Sequence, residues 1–357
     1  MTEQRVLVFT CEPGGAVMLI PVIALLKKSG FHVDVLSYGY GGQVFSKNSI
    51  PFAEIAGIAD VDGVLLKRFR PHFVITSATS LPTADMSEKY LWQIAKENGV
   101  ETIAFCDQWQ NYALRFSGPA VSEKLAYLPD YINCINDIGR TEMIAEGLPE
   151  RKLFTFGHPY LSIIKHIYNC LQIEEILPRV GISMAGYDDR ETLLFVSEPI
   201  EEYYRDMRGY NQYSVIEHFL NNVRRTARHS RVIIKLHPKD DKARFAYLTL
   251  GRSNPSVNLV QNEISSIECL KLTNHVFGMT SLMLIESFIL GKMVTSLQPG
   301  LIGVDQCVLS RHAFIQNITN HEPFDPFYFE RDKATYFDIL FNEEDFIDFL
   351  KRRLKLS

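Results

Sequence analysis

Short apolar segments alternate with amphipathic segments along most of the chain. In the first half, the pattern predicts strands at residues 5–10, 32–37, 72–77, 101–106 and 131–136, and helices at 16–29, 87–98 and 140–146. The strands are rich in β-branched residues and do not alternate polar with apolar positions, which is typical of strands buried on both faces. We therefore predict a parallel sheet with helices on both sides.

A second series of alternating apolar and amphipathic segments follows a segment with less regular periodicity. Residues 157–189 contain Pro159, Pro178, Gly181 and Gly186, which interrupt regular structure and indicate a linker. The pattern then predicts strands at 192–197, 232–236, 257–260, 275–278 and 293–297, and helices at 211–229, 264–272, 280–290 and 342–356.

These elements predict an α/β protein with two doubly wound, Rossmann-like domains that face a cleft. At 357 residues the chain is long for one hydrophobic core. We expect domains at 1–160 and 190–335, a linker at 161–189, and a C-terminal helix within 336–357 that could cross back to the first domain. In such sheets, ligands bind at the carboxyl ends of the strands.

Composition narrows the class of protein. The chain is 46% hydrophobic and 22% charged, as expected of a soluble globular protein, and its net charge of -5 argues against nucleic-acid binding. Six widely spread cysteines and the spacing of the histidines indicate neither a disulfide framework nor a metal site. The N-terminus lacks the apolar region of a secretory signal, and the longest apolar run, 16–26, is too short to cross a bilayer. We therefore expect a cytoplasmic protein.

The strongest chemical signal comes from two strand ends in the second half, R-V-I-I-K-L-H-P and H-V-F-G-M-T-S-L-M-L-I-E-S. They carry Lys235, His237, Pro238, Thr280 and Ser281. Lys235 offers a positive charge, His237 a hydrogen-bond donor, and the other pair hydroxyls and N–H groups at a helix start, where an anion is favoured. We predict a phosphate site. The alternative is that His237 and Pro238 only end a strand, while Thr280 or Ser281 only caps a helix.

With these motifs, the chain resembles the GT-B glycosyltransferase superfamily, which also contains nucleotide-sugar epimerases and hydrolases. The HP and paired-hydroxyl motifs are most similar to those of bacterial capsule and lipopolysaccharide enzymes that use cytidine-nucleotide donors: sialyltransferases, Kdo transferases and glycerol-phosphate polymerases. The resemblance implies that the HP motif, His237 and Pro238, binds the donor nucleotide, and that His237 binds the donor phosphate and stabilises the departing CMP. It also implies that Thr280 and Ser281 hold the same phosphate and that Glu286 contacts the ribose.

The catalytic base is not given by a motif. Sialyltransferases of this group carry a D/E-D/E-G tripeptide, which Asp60-Val61-Asp62-Gly63 only approaches. We therefore select the base by position, with Asp107 first and Glu12 second, because each follows a predicted strand and could take a proton from an acceptor hydroxyl. Asp107 could equally be a turn residue.

Other residues near these positions are candidates for substrate binding. Gly14 and Gly15 permit close backbone approach and resemble the glycine-rich first loop of lipid-linked peptidoglycan transferases. Trp109 and Asn111 suit stacking on and hydrogen bonding to a sugar. The remaining candidates are His158, for which a structural role is the stronger alternative, and Glu198, which could instead pair with Arg205 or Arg208.

We expect an inverting, metal-independent glycosyltransferase that moves a sugar from a nucleotide-activated donor to a cell-envelope or capsular glycan or a lipid-linked acceptor. A CMP-linked donor is favoured over a UDP-linked one, and the donor is a co-substrate rather than a cofactor. One alternative is a nucleotide-sugar 2-epimerase or hydrolase, which needs several carboxylates around the sugar that the sequence does not reveal. Another is a noncatalytic nucleotide-sugar-binding subunit of a polysaccharide assembly complex. The basic C-terminal helix could contact the inner face of a membrane or present an ordinary solvated face.

Overall fold

The chain divides into two compact units, each built on one parallel sheet. The computed structural model describes residues 4–56, 63–182, 191–226, 229–249, 255–328 and 337–356. Unit 1 comprises Met1–Ile163 and Asp338–Ser357, and unit 2 comprises Ile164–Phe337. The acidic segment at positions 60–62 lies outside the described residues. The predicted class of two Rossmann-like parallel-sheet units is confirmed.

Unit 1 contains a sheet of seven described strands. They are β1 (Arg5–Phe9), β2 (His32–Ser37), β3 (Ala53–Glu54), β4 (Phe73–Thr76), β5 (Glu101–Phe105), β6 (Tyr131–Cys134) and β7 (Leu153–Thr155). All pair in parallel in the order β3-β2-β1-β4-β5-β6-β7. Strand β4 is fully buried and β1 is buried except at Arg5, as their continuous apolar character predicts.

The helices of unit 1 connect successive strands. They are α1 (Pro13–Lys28), α2 (Gly39–Lys47), α3 (Gly63–Phe69), α4 (Ser87–Glu97), α5 (Tyr112–Arg115), α6 (Asp137–Ala145) and α7 (Pro159–Cys170), within which the division between the units falls. Helix α1 begins at Pro13, where the missing N–H costs nothing because the first turn has no intrahelical partner for it. It ends before Gly30, whose φ of +86° lies in the left-handed region.

Unit 2 contains a sheet of six described strands. They are β8 (Thr192–Val196), β9 (Arg231–Lys235), β10 (Ser256–Val260), β11 (His275–Gly278), β12 (Met293–Leu297) and β13 (Gln316–Ile318), in the order β10-β9-β8-β11-β12-β13. Its helices are α8 (Ile173–Ile176), α9 (Ile200–Tyr204), α10 (Gln212–Arg225), α11 (Ser266–Lys271), α12 (Leu282–Ile289) and α13 (Val308–Arg311).

The C-terminal helix α14 (Glu343–Arg353) belongs to unit 1. Its apolar face, which includes Phe346 and Phe349, is buried in the same core as α1 and the central strands. The rings of Phe105 and Phe346 meet edge to face at 5.4 Å. Because this apolar face is covered by the protein's own core, it is not exposed for insertion into a membrane.

The structure differs from the predicted elements mainly in short segments and in the linker. Strands β7 and β13 have three residues each, too few to produce a recognisable pattern. The segment predicted as a linker contains helix α7, because Pro159 stands at its first turn, where proline favours a helix start. The last part of that segment, residues 183–190, lies outside the described residues.

Candidate functional site

In each sheet, the first strands of the chain are added on one side of a starting strand, and the later strands are added on its other side. In unit 1 this strand is β1, between β2 and β4, and in unit 2 it is β8, between β9 and β11. Ligands of open parallel sheets bind at the carboxyl ends of the strands at this switch point. We therefore describe the loops that follow β1, β4 and β5 in unit 1, and those that follow β8, β9 and β11 in unit 2.

Two glycines bring the loop after β1 into close contact with its neighbours. A Cβ atom on Gly14 would lie 2.6 Å from Oδ2 of Asp107, and one on Gly15 would lie 2.6 Å from Oγ1 of Thr10. Neither position has room for a side chain without displacement of these groups. The structure therefore brings together Gly14 and Asp107, which the sequence analysis selected separately.

Asp107 is held in place from two directions. Its Oδ1 pairs with Nη1 of Arg115 at 2.8 Å, and the Asp107 side chain is 17% exposed, whereas that of Arg115 is 2% exposed. Arg115 also donates to the backbone carbonyls of Ala78 at 2.5 Å and Gln110 at 3.0 Å. This buried guanidinium fixes the Asp107 carboxylate where a ligand can still reach it. Glu12 lies partly exposed at the start of α1.

His158 and Trp109 have structural positions, which corrects two predictions of substrate binding. His158 is 1% exposed, accepts from the Leu161 N–H through Nδ1 and contacts the Asp107 carbonyl through Nε2 at 3.2 Å. Burial lowers the pKa of His158 to about 4, so the ring is neutral near pH 7. Trp109 is 1% exposed, donates to Asn136 and stacks on His158, so it offers no free face to a sugar.

Asn111 precedes α5 and adopts a left-handed conformation, with φ of 58°. Asparagine tolerates this conformation better than most residues, which gives Asn111 a clear local role in the turn. It is partly exposed, so a contact with a ligand stays a prediction.

Sequence reasoning missed two acidic residues, Asp85 and Glu88, that lie beside the end of β4. Glu88 is 1% exposed and accepts from the Ser77 hydroxyl and from the N–H and hydroxyl of Thr79, the latter two at 2.5 and 2.9 Å. Burial raises the pKa of Glu88 to about 7 although these bonds oppose the change. The Ser77 hydroxyl also lies 2.6 Å from that of Thr10, so the loops after β1 and β4 share one buried network.

Asp85 belongs to the adjoining part of this network. It accepts from the N–H and hydroxyl of Ser87 at 2.8 and 2.5 Å, and also from the hydroxyl of Tyr38. Burial and the bond to Asp85 raise the pKa of Tyr38, so its hydroxyl remains a proton donor. We define the acidic set as Glu12, Asp85, Glu88 and Asp107.

In unit 2, Glu198 follows β8 and reaches the loop after β11. Its carboxylate accepts from the Thr280 N–H at 2.7 Å and from the Thr280 hydroxyl at 2.6 Å. Burial raises the pKa of Glu198, whereas the bonds from Thr280 and the charge of Arg208 act in the opposite direction. An internal carboxylate therefore occupies the donors that we predicted for a phosphate.

Lys235 does not present its charge to this region, which corrects a further prediction. Its ammonium donates to the backbone carbonyls of Gln261 and Ile264, the latter at 2.6 Å, and the residue is 7% exposed. Carbonyl oxygens replace water around the buried ammonium. Lys235 therefore connects β9 to the loop after β10.

His237, in contrast, is half-buried and oriented by its own turn. Its N–H donates to Asp240 at 2.9 Å, and its Nδ1 accepts from the Lys239 N–H at 3.1 Å. Burial, with the nearby lysine charges, lowers the pKa of His237 to about 4. The neutral ring therefore carries its proton on Nε2, a hydrogen-bond donor. Pro238 is exposed in the same turn.

Ser281 caps helix α12, as the structural alternative predicted, with its hydroxyl 3.3 Å from the Met283 N–H. Glu286 lies on α12 and is 4% exposed, so its contact with a ribose stays a prediction. Among the described residues, no group of three or more acidic, histidine or cysteine side chains could hold a metal ion. No described helix is long and apolar enough to cross a membrane.

No protein-family model and no curated protein matches the chain. Solved structures do. MnaA from S. aureus, solved with UDP, superposes with a TM-score of 0.69 at 12% identity over 99% of this chain and 98% of that chain. The UDP-GlcNAc 2-epimerase from Neisseria meningitidis, bound to UDP-GlcNAc, gives 0.66 at 13% identity over 98% and 100%. The chain has the GT-B fold. MurG from Acinetobacter baumannii gives 0.50 at 10% identity over 99% and 92%, and at such identities the likeness concerns the GT-B fold alone.

Proposed function

We propose that this GT-B protein is an enzyme that acts on a UDP-linked sugar, either as a 2-epimerase that moves a proton at C2 of the sugar ring or as a hydrolase. The observation that carries the proposal is the acidic set at the end of the unit 1 sheet. The sequence does not reveal such a set, which favours a transferase over an epimerase. In the structure Glu88 binds Thr79, and Arg115 joins the neighbouring Ala78 carbonyl to Asp107, so these carboxylates belong to one region of unit 1. Its partly exposed members, Glu12, Asp85 and Asp107, supply the carboxylates that an epimerase needs.

Epimerisation at C2 takes the proton from that carbon while the C–H electron pair expels UDP from C1, and then returns a proton to the opposite face of C2 as UDP re-forms its bond to C1. This needs a base and an acid, which are groups in different protonation states at the working pH. Asp107, paired with Arg115 and still accessible, suits the base. The hydroxyl of Tyr38, which donates to Asp85, suits a proton donor. Glu88 is too buried to touch a substrate, so we assign it the positioning of Ser77 and Thr79.

The nucleotide would bind to unit 2. His237 offers Nε2–H from an oriented ring, which can donate to a phosphate oxygen without adding a charge. The motif pair favoured CMP, whereas the neighbours solved with UDP or UDP-GlcNAc favour a uridine nucleotide. We therefore propose UDP-GlcNAc as the first substrate to test.

An inverting glycosyltransferase is the second candidate. It needs one accessible base, and Asp107 meets this requirement without help from the other acids. The fold likeness to MurG is compatible with it. In this case nucleotide would be released only when an acceptor is present.

The test is incubation with UDP-GlcNAc in D2O, followed by proton NMR and by measurement of released nucleotide. A C2 epimer with deuterium at C2 supports the epimerase, and free UDP without acceptor supports the hydrolase. UDP release that requires an acceptor supports the transferase, and binding without any release supports a noncatalytic subunit. CMP- and CDP-linked sugars in parallel test the choice of nucleotide.

Two variants test the assignment of the base. Asp107→Asn should reduce turnover at least a hundredfold and change nucleotide affinity less than twofold, because the proposal gives Asp107 a proton transfer at the sugar and no contact with the nucleotide. Asp137→Asn, at an exposed carboxylate of the same unit, is the matched control and should retain full turnover. Full activity of Asp107→Asn would exclude Asp107 as the base.

A further inference from the structure

The carboxylate of Glu198 occupies a site built for an anion. It receives two hydrogen bonds from Thr280 at the start of α12, where the helix dipole favours negative charge. The Ser281 N–H and the positive charge of Arg208 further favour the ionised form of this carboxylate. The arrangement is that of a bound phosphate or sulfate, except that the anion is a side chain of the protein.

Arg208 is the second observation that points to a ligand. It is 7% exposed, and its Nη1 finds no hydrogen-bond partner among the residues that the structure describes. Its guanidinium lies 4.2 Å from the Tyr204 ring centroid, and its carbonyl accepts from the Ile302 N–H at 3.0 Å. Buried guanidinium groups normally satisfy their donors, so an unused N–H on a guanidinium whose charge acts on the Glu198 carboxylate indicates a missing partner.

We propose that a phosphate group of the nucleotide substrate takes the position of the Glu198 carboxylate, displaces it, and accepts a hydrogen bond from Arg208. Glu198 is then an internal competitor that compensates the Arg208 charge while the site is empty. The inference deepens the proposed function, on which it rests, by naming a phosphate-binding residue and a residue that limits affinity.

The displacement requires little rearrangement. A glutamate side chain has three rotatable bonds and can turn away without movement of its backbone. The ligand exchanges one partly buried negative charge for another, so Arg208 remains compensated. The displaced carboxylate regains water, which offsets part of the energy needed to break its bonds to Thr280.

Calorimetric titration with pyrophosphate, and separately with UDP, tests the proposal. Glu198→Gln should bind pyrophosphate about tenfold more tightly than the unmodified protein, because a neutral side chain competes less well for the site. Arg208→Met should bind pyrophosphate at least tenfold more weakly than the unmodified protein. The affinity of Arg208→Lys, which keeps the charge, should lie between those of the unmodified protein and Arg208→Met. The matched controls are Glu201→Gln, at a half-buried position, and Arg205→Gln, at an exposed position of the same segment, and both should change affinity less than twofold.

The direction in which Glu198→Gln changes pyrophosphate affinity distinguishes the proposal from its alternatives. If Glu198 only stabilised the loop or contacted the sugar, its replacement would leave pyrophosphate affinity unchanged or lower it, and either result overturns the proposal. So does unchanged binding in a folded Arg208→Lys or Arg208→Met protein, or the absence of pyrophosphate binding in every variant. The expected order of affinities without turnover of UDP-GlcNAc would support the anion site and reject the proposed reaction, so the two failures are distinguishable.

Discussion

The buried carboxyl group of Glu88 makes a quantitative prediction about stability and pH. Burial raises its pKa from the ordinary 4.5 to about 7. Between these values the folded protein binds more protons at this site than the unfolded chain does, so stability falls as the pH rises through this window. At 1.4 kcal/mol for each pKa unit, the full interval is worth about 3 kcal/mol, of which about 2.5 kcal/mol lies between pH 5 and 8.

Glu88→Gln should remove this dependence without disrupting the network. The amide oxygen can accept from Thr79, and the amide N–H can donate to the Ser77 hydroxyl, which can still donate to Thr10. The free energy of unfolding of the variant should therefore rise by about 2.5 kcal/mol relative to that of the unmodified protein between pH 5 and 8.

The assay is urea unfolding followed by tryptophan fluorescence. Both tryptophans of the chain, Trp92 and Trp109, are buried in unit 1, so the signal reports the unit that contains Glu88. His158, whose pKa is lowered, contributes with the opposite sign but equally in both proteins, and the difference cancels it. Glu97→Gln, exposed on the last turn of α4, is the matched control. A difference that varies by less than about 0.5 kcal/mol across this range would refute the reasoning.

Three further substitutions test the contacts around this site and in the C-terminal helix. Gly14→Ala places a methyl group 2.6 Å from the Asp107 carboxylate, so turnover should fall at least tenfold while calorimetry shows unchanged nucleotide affinity; equal loss of both would contradict the separation of roles. His158→Leu leaves two buried backbone groups unpaired and should lower the free energy of unfolding of unit 1 by about 1–3 kcal/mol in the same urea assay. Glu101→Gln removes a largely exposed pair with Arg353 and should cost less than about 1 kcal/mol; a larger loss would show that the pair holds α14 in place.

The regular strands were predictable because their burial requires a pattern of apolar residues that is visible in the sequence alone. Strands β2, β11 and β12 have the predicted bounds, and β11 and β12 are almost entirely buried. Helix α2 was not predicted, because its sequence G-Y-G-G-Q-V-F-S-K has poor helix propensity. The structure explains a glycine in this helix, because a Cβ on Gly41 would lie 2.9 Å from the Cys11 backbone. The close packing of α2 against this backbone therefore requires glycine in spite of its low helix propensity.

The candidate site was predictable only where its residues follow strands directly. Asp107 and the Gly14 loop fit this rule, and the structure brings them into contact. Asp85 and Glu88 do not, because they lie at the start of the helix that follows β4. The first turn of such a helix returns to the edge of the sheet that the strand has just left, so acids there belong to the same site as acids in the loop.

The pairing of Glu198 with Thr280 shows which information sequence reasoning lacks. The two residues are 82 positions apart, and the sequence predicts phosphate binding for Thr280 and substrate binding for Glu198 without relating one to the other. They meet because β8 and β11 are neighbours at the switch point of the sheet, an order that no local pattern encodes. This strand order places Glu198 and Thr280, each of which is predicted to contact a ligand, in contact with each other. It follows that the net affinity of this site for an anion depends on competition within the protein as well as on its donors.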